Sequence, residues 1–138
     1  MKKISTIFIV LSAITLSIGL SAWNTSDGQQ TGEWKAPASA DKLKNPLFAN
    51  SAATQKGKKL YKQMCAICHG NSGKGAGMAG MSLNPRPSDF TSAKLQNQSD
   101  GAIYWKMTEG RTPMASYKDI LKEEQRWQLV NYIRTLKK

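Results

Sequence analysis

Five consecutive residues constrain the structure of this chain most, and they are Cys65, Ala66, Ile67, Cys68 and His69. This run holds both cysteines and the single histidine of a 138-residue chain. Two thiols and one imidazole are therefore concentrated at one point of the sequence. A disulfide between cysteines only three positions apart closes a very short loop and gives little entropic stabilisation, so a structural cross-link explains the pattern poorly.

The run matches the haem-attachment signature, in which two thiols bond to the haem vinyl groups and the adjacent histidine ligates the iron. A thioredoxin-like cysteine pair belongs near a βαβ pattern, which is absent from the sequence. A zinc site needs more Cys or His ligands than the chain contains. We therefore predict one covalently bound haem c, attached through Cys65 and Cys68, with His69 as the proximal ligand.

The sixth ligand of the iron is predicted to be a methionine. Met78 and Met81 lie in a glycine-rich stretch, and Met107 falls on the inner face of a predicted helix, where methionine usually fills the core. Met114 follows Pro113 in a loop between two predicted helices. Because proline cannot continue a helix, the chain there is committed to an extended, ligand-presenting shape. Met114 is our predicted distal ligand.

Apolar periodicity predicts a helical chain. One helix is expected over 51–65, a second over about 99–108 with Gly110 as its stop, and a third from about 122 to the C-terminus. The residues between the first two helices, 70–91, are rich in Gly and Pro and are predicted to form a loop. Strand signals are weak throughout, so the predicted fold class is all-α, with three to four helices around one haem.

The composition divides the chain into three parts. Residues 1–22 carry Lys2 and Lys3 directly after Met1 and continue as an apolar run, which predicts a signal peptide or an N-terminal membrane anchor. Residues 23–50 have no helical or strand pattern and are predicted to be a flexible linker or wrapping arm. The domain itself is assigned to 51–138. The sizeable apolar residues that could pin the arm to it are Trp34, Leu47 and Phe48.

The charge of the chain indicates its partners. Of 20 Lys and Arg residues, two lie in the predicted signal, which leaves 18 against 9 acidic residues and a net charge near +9. So basic a surface favours docking on acidic redox partner proteins. Nucleic acid is excluded as a partner, because an exported protein rarely meets it and no helix combines clustered Arg with aromatic residues. The candidate basic rim consists of Lys56, Lys58, Lys59, Lys62, Lys74 and Lys118.

Taken together, these motifs resemble the class I c-type cytochromes. The resemblance rests on Cys65 to His69, on the Pro113 and Met114 pair and on residues 126–134, and it covers about residues 51–138. It implies a small cytochrome c fold in which the first and last helices cross closely at a glycine. The residues that match this crossing are Gly57 and Tyr61 on the first helix and Leu129 and Tyr132 on the last.

The resemblance also implies a hydrogen bond between the ring nitrogen of His69 and a proline carbonyl in the following loop. Pro85 is the candidate, and Pro87 is the alternative.

The predicted function is one-electron transfer between redox partners, without catalysis. A thioether ligand favours ferrous iron, and protein ligands on both sides leave no open iron site. The predicted location is the periplasm or the outer face of the cytoplasmic membrane of a bacterium, with membrane contact through the N-terminal segment. Two alternatives stay open: a haem sensor or peroxidase-like enzyme with a labile sixth ligand, and a fixed cytochrome subunit of a membrane oxidoreductase.

Overall fold

The computed structural model describes residues 32–138, of which Trp34–Lys138 form one compact unit. No strand occurs among these residues, and the all-α prediction is confirmed. The predicted signal or anchor, 1–22, lies outside them, and within 32–138 no helix has the length and apolarity needed to cross a bilayer. The helices are α1 (Ala38–Asp41), α2 (Ser51–Met64), α3 (Ala66–His69), α4 (Ala93–Gln96), α5 (Asp100–Glu109) and α6 (Glu123–Arg134), with a 3-10 turn at Gly80–Ser82.

The three long helices begin and end close to the predicted residues. The Asn50 side chain caps α2 by accepting from the Ala53 N–H, and Ser99 Oγ caps α5 by accepting from the Ala102 N–H. Both caps satisfy an N–H group that the first turn of a helix leaves unpaired. Gly110 ends α5 as predicted. Helix α6 ends at Arg134, earlier than predicted, because Thr135 Oγ1 bonds to the Tyr132 carbonyl and the last turn tightens.

The crossing of α2 and α6 forms the centre of the fold. A Cβ atom on Gly57 would lie 1.9 Å from the Gln128 carbonyl oxygen and 3.1 Å from the Leu129 nitrogen. The two backbones therefore touch where the side chain is missing. One turn further along α2, the rings of Tyr61 and Tyr132 pack with centroids 5.0 Å apart. The close crossing implied by the family resemblance is confirmed.

Helix α6 is enclosed by the other elements. Every residue from Arg126 to Ile133 is buried, which is unusual for a helix of a small domain. Helix α5 packs against α6, and Tyr104 stacks on Trp127 with ring centroids 4.0 Å apart. A helix without a solvent face must satisfy its polar side chains internally. Within the described residues, no buried side-chain nitrogen or oxygen lacks a hydrogen-bond partner.

The segment before α2 contains α1, a helix that the sequence analysis did not predict. It forms because Gly101 of α5 allows close contact: a Cβ there would lie 2.0 Å from the Ala40 carbonyl oxygen. Ala40 is buried in this contact. The prediction that no regular element occurs before residue 51 is therefore wrong for these four residues, since a tertiary contact and not local periodicity stabilises them.

The rest of this segment is fixed by side-chain hydrogen bonds. Asn45 Nδ2 donates to Asp100 and to Asn131 at 2.7 and 2.8 Å, and Asn131 Nδ2 donates to the Leu47 carbonyl. Leu47 packs against the core as expected. Phe48, in contrast, is 79% exposed and pins nothing. The described part of the predicted arm thus lies against α5 and α6, while its predicted boundaries stay a prediction.

We expect Gly57→Ala to destabilise the protein by about 2 kcal/mol or more, because the new Cβ overlaps backbone atoms that cannot rotate away. Urea unfolding followed by circular dichroism measures the change. Gly32→Ala is the matched control: its Cβ meets no atom within 4 Å, and the expected change is below about 0.5 kcal/mol. Equal stability of the two variants would contradict the close crossing.

Candidate haem site

The two cysteines lie at the junction of α2 and α3. Cys65 caps the C-terminus of α2, and its carbonyl accepts from the His69 N–H at 2.8 Å, which begins the short helix α3. Cys68 lies in the same turn, and both cysteines are half-buried. No disulfide joins them. The fold therefore presents two thiols and the imidazole of His69 from a single helical turn.

The environment keeps the thiol of Cys65 protonated. Burial raises the pKa of Cys65 to about 12, and the neighbouring Cys68 adds to the rise. Burial also raises the pKa of Tyr61, and Cys65 contributes to that shift. A neutral thiol fits an apolar contact, and Cys65 packs directly against the hydrophobic core.

A glycine-rich loop supports α3 from outside. Its N–H groups return along the helix, with Gly75, Gly77 and Ala79 donating in turn to the carbonyls of His69, Cys68 and Ile67 at 2.9 to 3.1 Å. These carbonyls belong to the last turn of a helix and would otherwise lack partners. Two of the glycines are required by the close approach, because a Cβ on Gly77 or Gly80 would overlap the α3 backbone. The predicted loop 70–91 thus holds in place the run Cys65 to His69, which we call the attachment segment.

His69 is buried and held on two sides. Its Nδ1 lies 3.2 Å from the Ser88 carbonyl oxygen, and its ring stacks on Phe90 with centroids 4.1 Å apart. When Nδ1 carries the proton and donates to this carbonyl, Nε2 keeps its lone pair for a metal. Burial lowers the pKa of His69, and the Ser88 carbonyl opposes that shift. The environment therefore favours the neutral imidazole, which is the form that ligates iron.

The structure corrects the prediction for Pro85. The carbonyl at His69 Nδ1 is that of Ser88, three residues further along, and Pro85 is exposed. The reason lies in how the loop packs. A Cβ on Gly75 would lie 2.3 Å from the Pro87 carbonyl, and the Phe90 N–H donates to Gly73 at 2.7 Å. These contacts dock residues 87–90, and not Pro85, beside the histidine.

Sequence reasoning missed Phe90. It stacks on His69 and also packs edge-on against Tyr61, with ring centroids 6.2 Å apart. Its carbonyl accepts from Gln96 Nε2 of α4 at 2.6 Å. A single aromatic residue in a predicted loop carries no periodic signal, so only its burial reveals the role.

Met114 lies in a tight hairpin between α5 and α6. Arg111 and Met114 exchange two backbone hydrogen bonds of 2.9 and 2.8 Å around Thr112 and Pro113. The Met114 side chain is half-buried and packs against the hydrophobic core, as does Cys65. The predicted distal ligand and the attachment segment therefore border the same apolar cluster.

The other methionine candidates have different surroundings. Met78 and Met81 are 82% and 57% exposed on the glycine-rich loop. Met107 is buried within the core cluster on α5, as its helical position predicted.

Tyr117 connects the Met114 loop to the attachment segment. Its hydroxyl donates to the Met64 carbonyl at 3.4 Å, next to Cys65. Burial raises the pKa of Tyr117, and Cys65 and Cys68 contribute further, which places all three groups close together. No sequence pattern predicted this contact.

The donor set fits a covalently attached haem. The chain offers two thiols outside any disulfide and a neutral imidazole whose second nitrogen is already hydrogen-bonded. Among residues 32–138, no group of three or more His, Cys, Asp or Glu side chains is placed to hold a metal ion directly.

A family model described as cytochrome c oxidase, cbb3-type, subunit III, matches residues 52–133. The chain belongs to this cytochrome c family. It is a class I c-type cytochrome, and the family implies haem c and electron transfer. No curated protein sequence matches the cytochrome.

Two solved structures are similar to the cytochrome. One is the reducing HAO-like protein complex Kustc0457/Kustc0458 of Kuenenia stuttgartiensis, with 30% identity and a TM-score of 0.61 over 70% of this chain. The match spans 50% of the length of that chain. The other is the KustC0563 c-type cytochrome, with 33% identity and a TM-score of 0.51, covering 59% of this chain and 98% of that one.

We expect Gly75→Ala to raise the reduction potential of the haem-loaded cytochrome by about 40 mV. The added Cβ displaces residues 87–88 and weakens the hydrogen bond that makes His69 a stronger donor to ferric iron, a bond of about 1 kcal/mol. Potentiometric titration measures the shift.

Gly70→Ala is the control for this measurement. It introduces the same left-handed strain, since φ is +76° at Gly70 and +75° at Gly75, but its Cβ faces Gly77 and Ala76. Equal shifts in both variants would mean that strain, and not the Ser88 hydrogen bond, sets the potential.

Proposed function

We propose that the cytochrome is a one-electron carrier with a single covalent haem c. Cys65 and Cys68 attach the haem, and His69 and Met114 ligate its iron. The observation that carries this proposal is the position of Met114, which borders the same apolar cluster as Cys65. The exposed Met78 and Met81 and the core residue Met107 offer poorer alternatives.

Each residue has a defined task in this proposal. When bound, the haem supplies an iron centre that gains and loses one electron. His69 keeps its orientation through the Ser88 carbonyl and the Phe90 ring. The thioether of Met114 is a soft donor that favours the reduced state and raises the potential relative to two imidazoles.

An electron carrier differs from a haem enzyme or sensor in that protein ligands occupy both axial positions of the iron. If Met114 occupies the sixth position, a small molecule reaches the iron only after that side chain leaves. His69 is the single histidine of the chain and already serves as proximal ligand. A peroxidase-like site would need a further acid-base residue beside the iron.

We expect the reduced wild-type protein to show a low-spin spectrum that does not respond to carbon monoxide, whereas Met114→Ala binds it readily. The physical reason is that alanine leaves the sixth position open. Visible spectra of both redox states, with and without carbon monoxide, measure the difference. Met81→Ala is the control, because it removes an exposed methionine and should leave the spectra unchanged. Ready binding of carbon monoxide by the wild type would favour the sensor or enzyme.

The basic surface is proposed to steer acidic redox partners. Lys56, Lys58, Lys59 and Lys62 are exposed along one helix, α2, and no acidic residue lies between them. Lys74 and Lys118 are exposed in the loops around α3 and Met114. Like charges grouped in this way create a positive potential that raises association rates with anionic partners.

Electron transfer from the reduced cytochrome to ferricyanide, an anionic oxidant, should slow as ionic strength rises. At low salt, the double variant Lys58→Glu with Lys62→Glu should slow it by roughly threefold or more, because it reverses two charges of the proposed basic rim on α2. Stopped-flow kinetics measure both effects. Lys137→Glu with Lys138→Glu makes the same change of charge at the C-terminus. Equal slowing by both pairs, or rates independent of salt, would contradict a localised basic rim.

A fixed subunit of a larger membrane oxidoreductase is the second candidate. It is favoured by the matched family, which is described as an oxidase subunit, and by the similarity to a protein complex. Both candidates place the cytochrome in the periplasm or at the outer face of the cytoplasmic membrane. Mass spectrometry of the mature N-terminus separates them: cleavage after Ser21 or Ala22 indicates a free shuttle, and an uncleaved terminus indicates a tethered subunit.

A further inference from the structure

Arg126 is a buried cation that has no role in the proposed ligation of the haem. Its side chain is 8% exposed on the enclosed helix α6. Among residues 32–138, its hydrogen bonds go to a tyrosine hydroxyl and to backbone carbonyls, and no carboxylate is among these partners. A guanidinium is placed in such a position only where several acceptors compensate for lost hydration.

The acceptors of Arg126 belong to two different elements. Nη1 donates to the carbonyls of Tyr117, Lys118 and Leu121 at 3.3, 2.8 and 2.7 Å. Nε and Nη2 donate to the Tyr104 hydroxyl of α5 at 3.3 and 2.8 Å. The guanidinium thus joins α5 to the segment that runs from the Met114 hairpin to α6.

Other contacts hold the two ends of this segment. Ser116 Oγ donates to the Thr108 carbonyl at 2.6 Å, and the Tyr117 N–H donates to the Met107 carbonyl at 3.1 Å. Both bonds fix the start of the segment to the end of α5. At the other end, Leu121 is buried in the core. Every residue from Lys118 to Ile120 is exposed, and Arg126 holds the Lys118 carbonyl from the protein interior.

We infer that Arg126 is a positioning residue for Met114, which holds the methionine loop closed over the haem site. The inference rests on the proposed ligation by His69 and Met114. Three of the bonds of Arg126 fix backbone atoms three to seven residues after Met114, and Tyr117, one of the residues held, also reaches the attachment segment through Met64. Without the guanidinium, the methionine loop loses its hydrogen bonds to α6. The fraction of molecules in which Met114 has left the sixth position of the iron should then increase.

The shape of the side chain matters here, and not its charge alone. A lysine at the same position keeps the positive charge but presents a single ammonium group, which cannot serve the three carbonyls and the Tyr104 hydroxyl at once. Arg126→Lys therefore tests geometry at constant charge.

The experiment compares haem-loaded wild type, Met114→Ala, Arg126→Lys and Tyr104→Phe. The affinity of the reduced form for carbon monoxide and the far-red charge-transfer band of the ferric methionine complex are measured below the unfolding temperature of each variant. Arg126→Lys should bind carbon monoxide about tenfold more tightly than wild type and should lose part of the far-red band. Tyr104→Phe, which removes one acceptor and keeps the ring, should shift both readouts in the same direction by a smaller factor.

Arg134→Lys is the matched control. Arg134 also lies on α6 and holds carbonyls, those of Gln96 and Gln98, together with Asp100 at 2.6 Å. These partners belong to the connection between α4 and α5 and not to the methionine loop. The variant should lose stability without gaining affinity for carbon monoxide.

The outcomes separate the inference from the proposed function. If Met114→Ala leaves carbon monoxide binding unchanged, the proposed ligation fails and the inference fails with it. If Met114→Ala opens the site but Arg126→Lys does not, only the inference is overturned. The inference alone is also overturned if Arg134→Lys increases the affinity for carbon monoxide as much as Arg126→Lys does. Should Arg126→Lys not fold, Tyr104→Phe decides, and unchanged affinity in that variant overturns the inference.

Discussion

The contact between the backbones of α2 and α6 supports every other part of the structure. It exists because position 57 has no side chain, so the Gln128 carbonyl can approach the first helix directly. Close approach brings Tyr132 together with Tyr61, four residues before Cys65 at the C-terminus of α2. The attachment cysteine that follows α2 is positioned by this contact, although it takes no part in it.

The haem site combines a rigid half and a more weakly held half. On the proximal side, α3, the glycine-rich loop and Phe90 surround His69 with backbone hydrogen bonds and ring stacking. On the proposed distal side, a two-residue hairpin carries Met114, and the following segment is held by side-chain hydrogen bonds and by the core packing of Tyr117 and Leu121. In the proposed ligation, such an arrangement would fix one ligand and leave the strength of the other adjustable by residues outside the site.

Local sequence signals predicted what depends on local structure. The three long helices and the stop at Gly110 follow from periodicity and from turn residues, and the structure confirms them. The close crossing at Gly57, which the family resemblance implied, is confirmed as well. The partner of His69 was assigned wrongly because all backbone carbonyls are chemically alike, and loop packing alone selects Ser88. Helix α1 and the role of Arg126 depend on contacts between residues far apart in the sequence, and such contacts produce no periodic sequence pattern. The ligand role of Met114 stays a prediction.

The burial of α6 determines which parts of the domain can unfold separately. Because the arm, α2, α5 and the methionine segment all contact this one helix, none of its faces can separate without exposing the core, and the helical part should unfold as one cooperative unit. Segments with few apolar contacts and exposed backbone open at lower free energy than such a unit. The turn at Thr112 and Pro113 in the Met114 hairpin, where both residues are exposed, is of this kind. With Met114 as the proposed sixth ligand, local opening at this turn would change the redox centre without loss of the fold.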